Sequence, residues 1–259
     1  MTFDRGVEIR LDSASLSFEY GNQVFGPKAV PRRLDEIRPS LRDPFCHGPD
    51  PVYAIAMDVG RSEHRDEIVR RMLLFGVVAY ASGTLGKELV RSQGHVHAVA
   101  PHCGWSTPEL IEIWRGKAIV YMQQAVNDDP GRCFAIEAGT GDKIVIPPGW
   151  AHFVANADSR AVLVFGAWCD REYGFDYDSV RRRGGLAWFP LVDEKERVKW
   201  EPNPAYRSSW LIKKQPREYP ELGVRCEGSI YEQFSSDPET VQWVSDPRRV
   251  AGIWENFTP

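Results

Sequence analysis

His95 and His97 stand one residue apart in GHVHAVAPHCGWSTPELIEIWRGKAIV (94–120), in a chain with only six histidines, and Glu109 and Glu112 follow them ahead of Arg115-Gly116-Lys117. Successive side chains of a strand point to opposite faces, so an H-x-H pair puts both imidazoles on one side. If that side faces a cavity, the two rings are metal ligands in want of further donors. Strand alternation groups Glu109 with Ile111, and Glu112 with Leu110 and Trp114, which leaves either carboxylate open as the acidic partner. His152 follows PPGWA at the far end of the same series of short strands.

Such donors need an architecture that brings distant strands side by side. Short apolar or alternating runs succeed one another: MLLFGVVAYA (72–81), KELVRS (87–92), ELIEIW (109–114), AIVYMQ (118–123), CFAIEA (133–138), KIVIP (143–147), HFVANA (152–157) and AVLVFGAW (161–168). Gly, Pro, Asn and Asp separate them, as at Ser82-Gly83, Pro148-Gly149 and Asp158-Ser159. Short strands at this spacing predict an all-β antiparallel sandwich or barrel, and the frequent punctuation is incompatible with long helices. Helical signals are confined to SEHRDEIVRRM (62–72), with Ser62 as its cap, and to DSVRRRGG (178–185). Past Trp200, prolines and isolated aromatics predict an arm or short helices on the outside of the barrel. Residues 1–204 are therefore expected to form the barrel domain with N-terminal strands, and 205–259 a C-terminal extension packed on it.

At 259 residues and 42% hydrophobic content the chain can bury a substantial core. A net charge of -4 with interspersed acids and bases gives no footprint for nucleic acid or an acidic membrane, so the expected partner is a small molecule. MTFDRGVEIRLDS at the start lacks an apolar signal region, and no run approaches the ~20 apolar residues of a membrane span, which predicts a cytoplasmic protein. Cys46, Cys103, Cys133, Cys169 and Cys226 contain no C-x-x-C pair and read as free buried thiols. His47 and His64 read as surface residues, His102-Cys103 as a loop tip near the mouth of the site, and Arg181-Arg182-Arg183 as a solvated run.

The order G-H-x-H, a Glu opening the next strand and a lone His after P-P-x-x-A resembles the metal pattern of the cupins, and the likeness narrows to the cupin-type glucose-6-phosphate isomerases. It runs through FGPKAVPRRLDEI (25–37), DPVYAIAMD (50–58), SGTLGKELVRSQGHVHA (82–98), PELIEIWRGKA (108–118), VIPPGWAHFVANAD (145–158) and GFDYDSV (174–180). The resemblance implies a cupin (jelly-roll) β-barrel with short flanking helices. It also implies one divalent transition metal per subunit, iron, manganese, nickel or zinc, held by His95, His97, Glu109 and His152. Three imidazoles and a carboxylate suit such ions better than oxygen-only ones. The activity implied is the interconversion of glucose 6-phosphate and fructose 6-phosphate by a homodimer.

On this resemblance Glu109 is both ligand and carrier of the proton between C1 and C2 through an enediolate. Ser92 and Gly94 match the family's Thr-Lys-Gly ahead of its histidines and would hold the phosphate by a hydroxyl and a close backbone approach, with Thr84 and Lys87 as helpers. Tyr177 matches the tyrosine of the family's G-H-D-Y. The chain departs from the family at Gly149 and Ile111, where tyrosines are usual, and in a longer loop between His97 and Glu109; lost hydroxyls should alter substrate recognition. The same donor set holds iron in cupin dioxygenases, and a non-catalytic sugar-binding cupin is a further reading. The Gly-Lys-Glu and Arg-Arg-Leu matches lie outside the ligand set and favour the isomerase.

Overall fold

The computed structural model describes residues 1–259. Twelve strands frame the site: β1 (Val30–Arg32), β2 (Tyr53–Met57), β3 (Leu73–Tyr80), β4 (Val96–His97), β5 (Glu109–Arg115), β6 (Lys117–Gln123), β7 (Cys133–Gly139), β8 (Lys143–Ile146), β9 (Ala151–Asn156), β10 (Leu163–Asp170), β11 (Phe175–Asp176) and β12 (Leu211–Lys214). One sheet has the order β8-β5-β10-β3-β2-β1 and the other β9-β6-β7-β12, while β4 and β11 form a two-stranded ribbon. The two sheets enclose Ile111, Ile113, Val120, Met122, Ile136, Val154 and Phe165 in a cluster of 27 buried residues. This is the all-β barrel expected of the strand spacing.

A second cluster, of 29 buried residues, covers the outer face of the larger sheet. Every residue of β3 and β10 is therefore buried, which explains why both read as unbroken apolar runs instead of alternating ones. Strands Thr2–Asp4, Glu8–Asp12 and Ser17–Tyr20 form a small sheet whose Ile9, Leu11 and Phe18 join that cluster. From the C-terminal end, helix Ile230–Ser236 packs Tyr231 and Phe234 onto Trp168, at ring-centroid distances of 5.5 and 4.7 Å. β12 adds in parallel to β7.

Between β5 and β6 the chain reverses at Gly116, whose φ of +90° and 3.0 Å approach of a notional Cβ to the Val162 carbonyl leave no room for a side chain. The segment 62–72 is shorter as a helix than expected. A 3₁₀ turn at Ser62–His64 precedes Arg65–Arg70, Ser62 caps nothing, and Met72 breaks the helix with a φ of +56°. The second candidate contains one turn, Asp178–Arg181. Cys226 is exposed, and the other four cysteines are buried. His64 is half-buried instead of exposed, its ring 5.8 Å from that of Tyr231.

Candidate metal and substrate site

An antiparallel bridge between His95 and His152 starts the site: His95 N–H donates to the His152 carbonyl at 3.1 Å, and His152 N–H returns a bond of 3.0 Å. Gly94 makes this approach possible with a φ of +87°; its notional Cβ would meet Leu186 at 3.2 Å, so it faces the outer wall. His97 follows on β4, opposite Phe175. Glu109 opens β5 and His152 lies on β9, so four donors from three separate stretches of chain converge. Their ligand atoms all lie within 4.8 Å of one another.

Two of the rings are fixed from behind. His97 Nδ1 lies 2.8 Å from the Thr107 carbonyl, and His152 Nδ1 lies 3.2 Å from the Trp150 carbonyl. Only an N–H can bond a carbonyl, so both rings carry their proton on Nδ1 and turn an Nε2 lone pair inward. There His152 Nε2 stands 3.2 Å, and His97 Nε2 3.5 Å, from Glu109 Oε2. Lone pairs facing a carboxylate at that range need a shared cation or proton between them. Nε2 of His95 and of His97 is buried without a hydrogen-bond partner. A buried nitrogen left in this state is costly, and a metal ion relieves it, so the four residues fit a divalent ion with nitrogen and oxygen preference.

The electrostatics agree. Burial drives the His95 pKa well below its ordinary value, helped by His152 and His97, and keeps the ring neutral for ligation. For Glu109 burial works upward, but His152 and His97, when they turn a protonated Nε2 toward it, outweigh burial and hold the carboxyl well below the usual range; a cation shared at that place would act in the same direction. Burial, then the neighbouring Glu109, raises the Cys169 thiol, which stays protonated beside that carboxyl.

The cavity over these donors is lined by sixteen residues, eleven of them apolar or aromatic, and none is Lys or Arg. Ser92 and Tyr177 line it as the sequence suggested; Ser92 Oγ accepts the Val154 N–H at 3.3 Å and also contacts the Tyr80 hydroxyl. Thr84 and Lys87 do not reach it, because they flank a turn in a separate sheet where Thr84 pairs with Leu89 and the Lys87 carbonyl accepts the Val192 N–H. Tyr53 and Tyr80, stacked at 5.0 Å, also line the cavity and escaped the sequence reading. The signal available was their place in strand-like runs, which does not say which face is inward.

Glu112 takes no part. It lies on the outer face of β5, where Oε2 accepts the Ile230 N–H at 2.9 Å and Arg5 approaches to 3.8 Å. His102 is not a free loop tip: its ring is 3.2 Å from Asp170, 3.1 Å from Glu172 and 3.0 Å from the Ser245 carbonyl. Of the arginine run, Arg183 is tied to Asp128 at 2.8 Å, whereas Arg181 reaches back to Gln93 at 2.9 Å.

Residues 40–207 match the glucose-6-phosphate isomerase family. The chain is 25% identical over 189 residues to a glucose-6-phosphate isomerase of Thermococcus kodakarensis, covering 70% of this chain and 89% of that protein. It is likewise 25% identical over 198 residues to one of Pyrococcus horikoshii, covering 74% and 95%. Among solved structures, an oxalate oxidase in complex with glycolate aligns with a TM-score of 0.34 and 17% identity over 45% of this chain and 50% of that one, too distant a likeness to bear on function. With a match through most of the barrel and both halves of the donor set inside it, the chain belongs to the glucose-6-phosphate isomerase family.

Proposed function

We propose that this chain interconverts glucose 6-phosphate and fructose 6-phosphate as a metal-dependent isomerase. The observation that supports it most is the set of His95, His97, Glu109 and His152 in a member of this family, with two buried Nε2 atoms unpartnered. These four residues would hold one divalent transition metal per subunit, iron, manganese, nickel or zinc. Bound there, such an ion would supply the positive charge that lowers the cost of an enediolate.

The chain's own residues do the rest. Glu109 turns Oε2 to His97 and His152, which leaves Oε1 to take the proton from C2 of the open-chain aldose and return it to C1. Positive charge at the Nε2 positions of the two histidines, a proton or the metal, would keep it ionised, the state a base must be in. Aromatic walls exclude water from the carbanionic intermediate, while Ser92 and Tyr177 offer hydroxyls to the substrate. A homodimer is part of this proposal. No helix is long and apolar enough to cross a membrane.

The test is the rate of glucose 6-phosphate to fructose 6-phosphate conversion, with metal content and solvent-deuterium uptake at C1 of the fructose 6-phosphate formed measured on the same samples. Turnover that tracks metal content is expected. A metal-loaded protein that is inactive on the sugar phosphates would overturn the proposal, and oxygen consumption by that sample would establish the dioxygenase reading that the apolar walls favour.

A further inference from the structure

A phosphate needs positive charge or several donors, yet no cation lines the cavity. Cations stand just behind its rim. Arg32, Tyr53 and Tyr80 form a row directly across β1, β2 and β3, with Arg32 opposite Tyr53 and Tyr53 opposite Tyr80. Residues opposite one another share a face, so Arg32 lies on the cavity side of the sheet with the two tyrosines. It is half-buried, and the nearby Asp50 is taken by Arg33, at 3.7 Å, which leaves Arg32 without a carboxylate partner. Burial raises the Tyr177 phenol, and the nearby Arg32 opposes that rise.

Arg181 also approaches Tyr177, its guanidinium carbon 5.5 Å from the ring centroid. Buried Gln93 holds it at 2.9 Å through Oε1, and the Glu36 carbonyl adds a contact of 3.3 Å. The one acid on it is Asp178, 3.8 Å away and 79% exposed. Tyr177 itself reaches the donor cluster, with ring centroids 5.7 Å from His95. An elongated molecule with one end at the donors thus meets paired guanidinium groups at Tyr177.

We propose that Arg32 and Arg181, both beside Tyr177, bind the phosphate of the sugar and so set which end of the substrate lies at Glu109. This rests on the isomerase reading. A planar guanidinium matches two phosphate oxygens at once, which a lysine ammonium does not. Ser92 then contributes a neutral donor to a site whose charge comes from the arginines.

In the metal-loaded protein, Arg32→Ala and Arg181→Ala should each raise KM for glucose 6-phosphate by about 10- to 100-fold, the loss typical of a charge-assisted bond to phosphate, with kcat changed far less and metal content intact. Arg32→Lys and Arg181→Lys should recover part of it. Independently of any variant, inorganic phosphate should protect Arg32 and Arg181 of the unaltered protein from phenylglyoxal, read by peptide mass spectrometry. Unchanged KM in both alanine variants, or modification indifferent to phosphate, overturns the proposal while the isomerase reading stands if turnover is seen. A protein inactive on glucose 6-phosphate but protected by phosphate at both arginines loses the isomerase reading and keeps the anion site.

Discussion

Replacing Glu109 and Glu112 in turn should separate chemistry from stability, because the two carboxylates lie on one strand and face opposite sides of the sheet. Glu109→Gln keeps an oxygen for the donor cluster and removes the group that moves the proton, so turnover should fall by the ~10²–10⁴-fold typical of a lost general base. Glu112 is 1% exposed, and its Oε2 satisfies the Ile230 N–H at the start of the helix that packs on Trp168. Glu112→Ala strands that buried N–H, at a cost of about 1–3 kcal/mol. Relief works the other way, since burial raises the Glu112 carboxyl and its removal ends a desolvation cost. For a chain of this size each kcal/mol shifts Tm by about 2–4 °C, so a fall of about 2–10 °C is expected. Glu112→Gln retains an acceptor and should change stability by less than about 1 kcal/mol. The assay is isomerisation rate, metal content and thermal melting on the same preparations. Near-normal turnover in metal-loaded Glu109→Gln would refute the proton-carrier role. A collapse of turnover in Glu112→Gln with Tm unchanged would refute the assignment of the two faces.

His95→Ala or His152→Ala should lose most bound metal by elemental analysis while far-ultraviolet circular dichroism stays that of the unaltered barrel, since one missing ligand weakens coordination without opening the core; full occupancy in either would reject the ligand set. Burial pushes the Asp170 carboxyl up to about 6, so its contribution to stability is full below its unfolded value and lost as pH rises through about 6. His102, raised by the Ser245 carbonyl and Glu172 in spite of burial, acts in the same direction, so Asp170→Asn should gain in Tm relative to the unaltered protein from pH 5 to 7.5, and a constant difference would reject the linkage. Truncation after Ser209 removes Tyr219, Leu222, Val224, Ile230, Tyr231, Phe234, Val241, Trp243, Val244 and Phe257 from the outer cluster. At about 1.5–3 kcal/mol each this exceeds the stability of a typical domain, so no soluble, cooperatively melting protein should result; one that melts as before would make the extension dispensable.

The donor set was the most legible feature because its signals are local. His95 and His97 sit one residue apart, and alternation already divided Glu109 from Glu112, although only the neighbours of β5 show which face is inward. Glu109 pairs with Ile146 and shares its face with Ile111 of the inner cluster, while Glu112 is opposite Lys143 and beneath the C-terminal helix. Which face the C-terminal helix covers was hidden for a related reason: isolated aromatics such as Tyr231 and Trp243 show no periodicity, and their burial depends on the outer face of β3 and β10 being apolar as far as Asp170.

Substrate-facing residues were the hardest to read, and Ile111 and Gly149 show why. Their lack of hydroxyls suggested a pocket poor in hydrogen bonds, a count made along one strand and one turn. Around the barrel the count differs, because Tyr53, Tyr80 and Tyr177 come from β2, β3 and the segment after β11. Tyr53 and Tyr80 face each other only through a register set by the pairing of β2 with β3, and Arg32 joins them only through β1. Sequence separation of 21 residues between Arg32 and Tyr53, and 27 between Tyr53 and Tyr80, carries no periodic trace of that row. A position that loses a polar group can thus be offset from a strand far away in the chain, provided the register places the new group at the same height over the donors. Recognition in this fold is a property of rows across strands, whereas the His95-His97 half of the ligand set can be read along one.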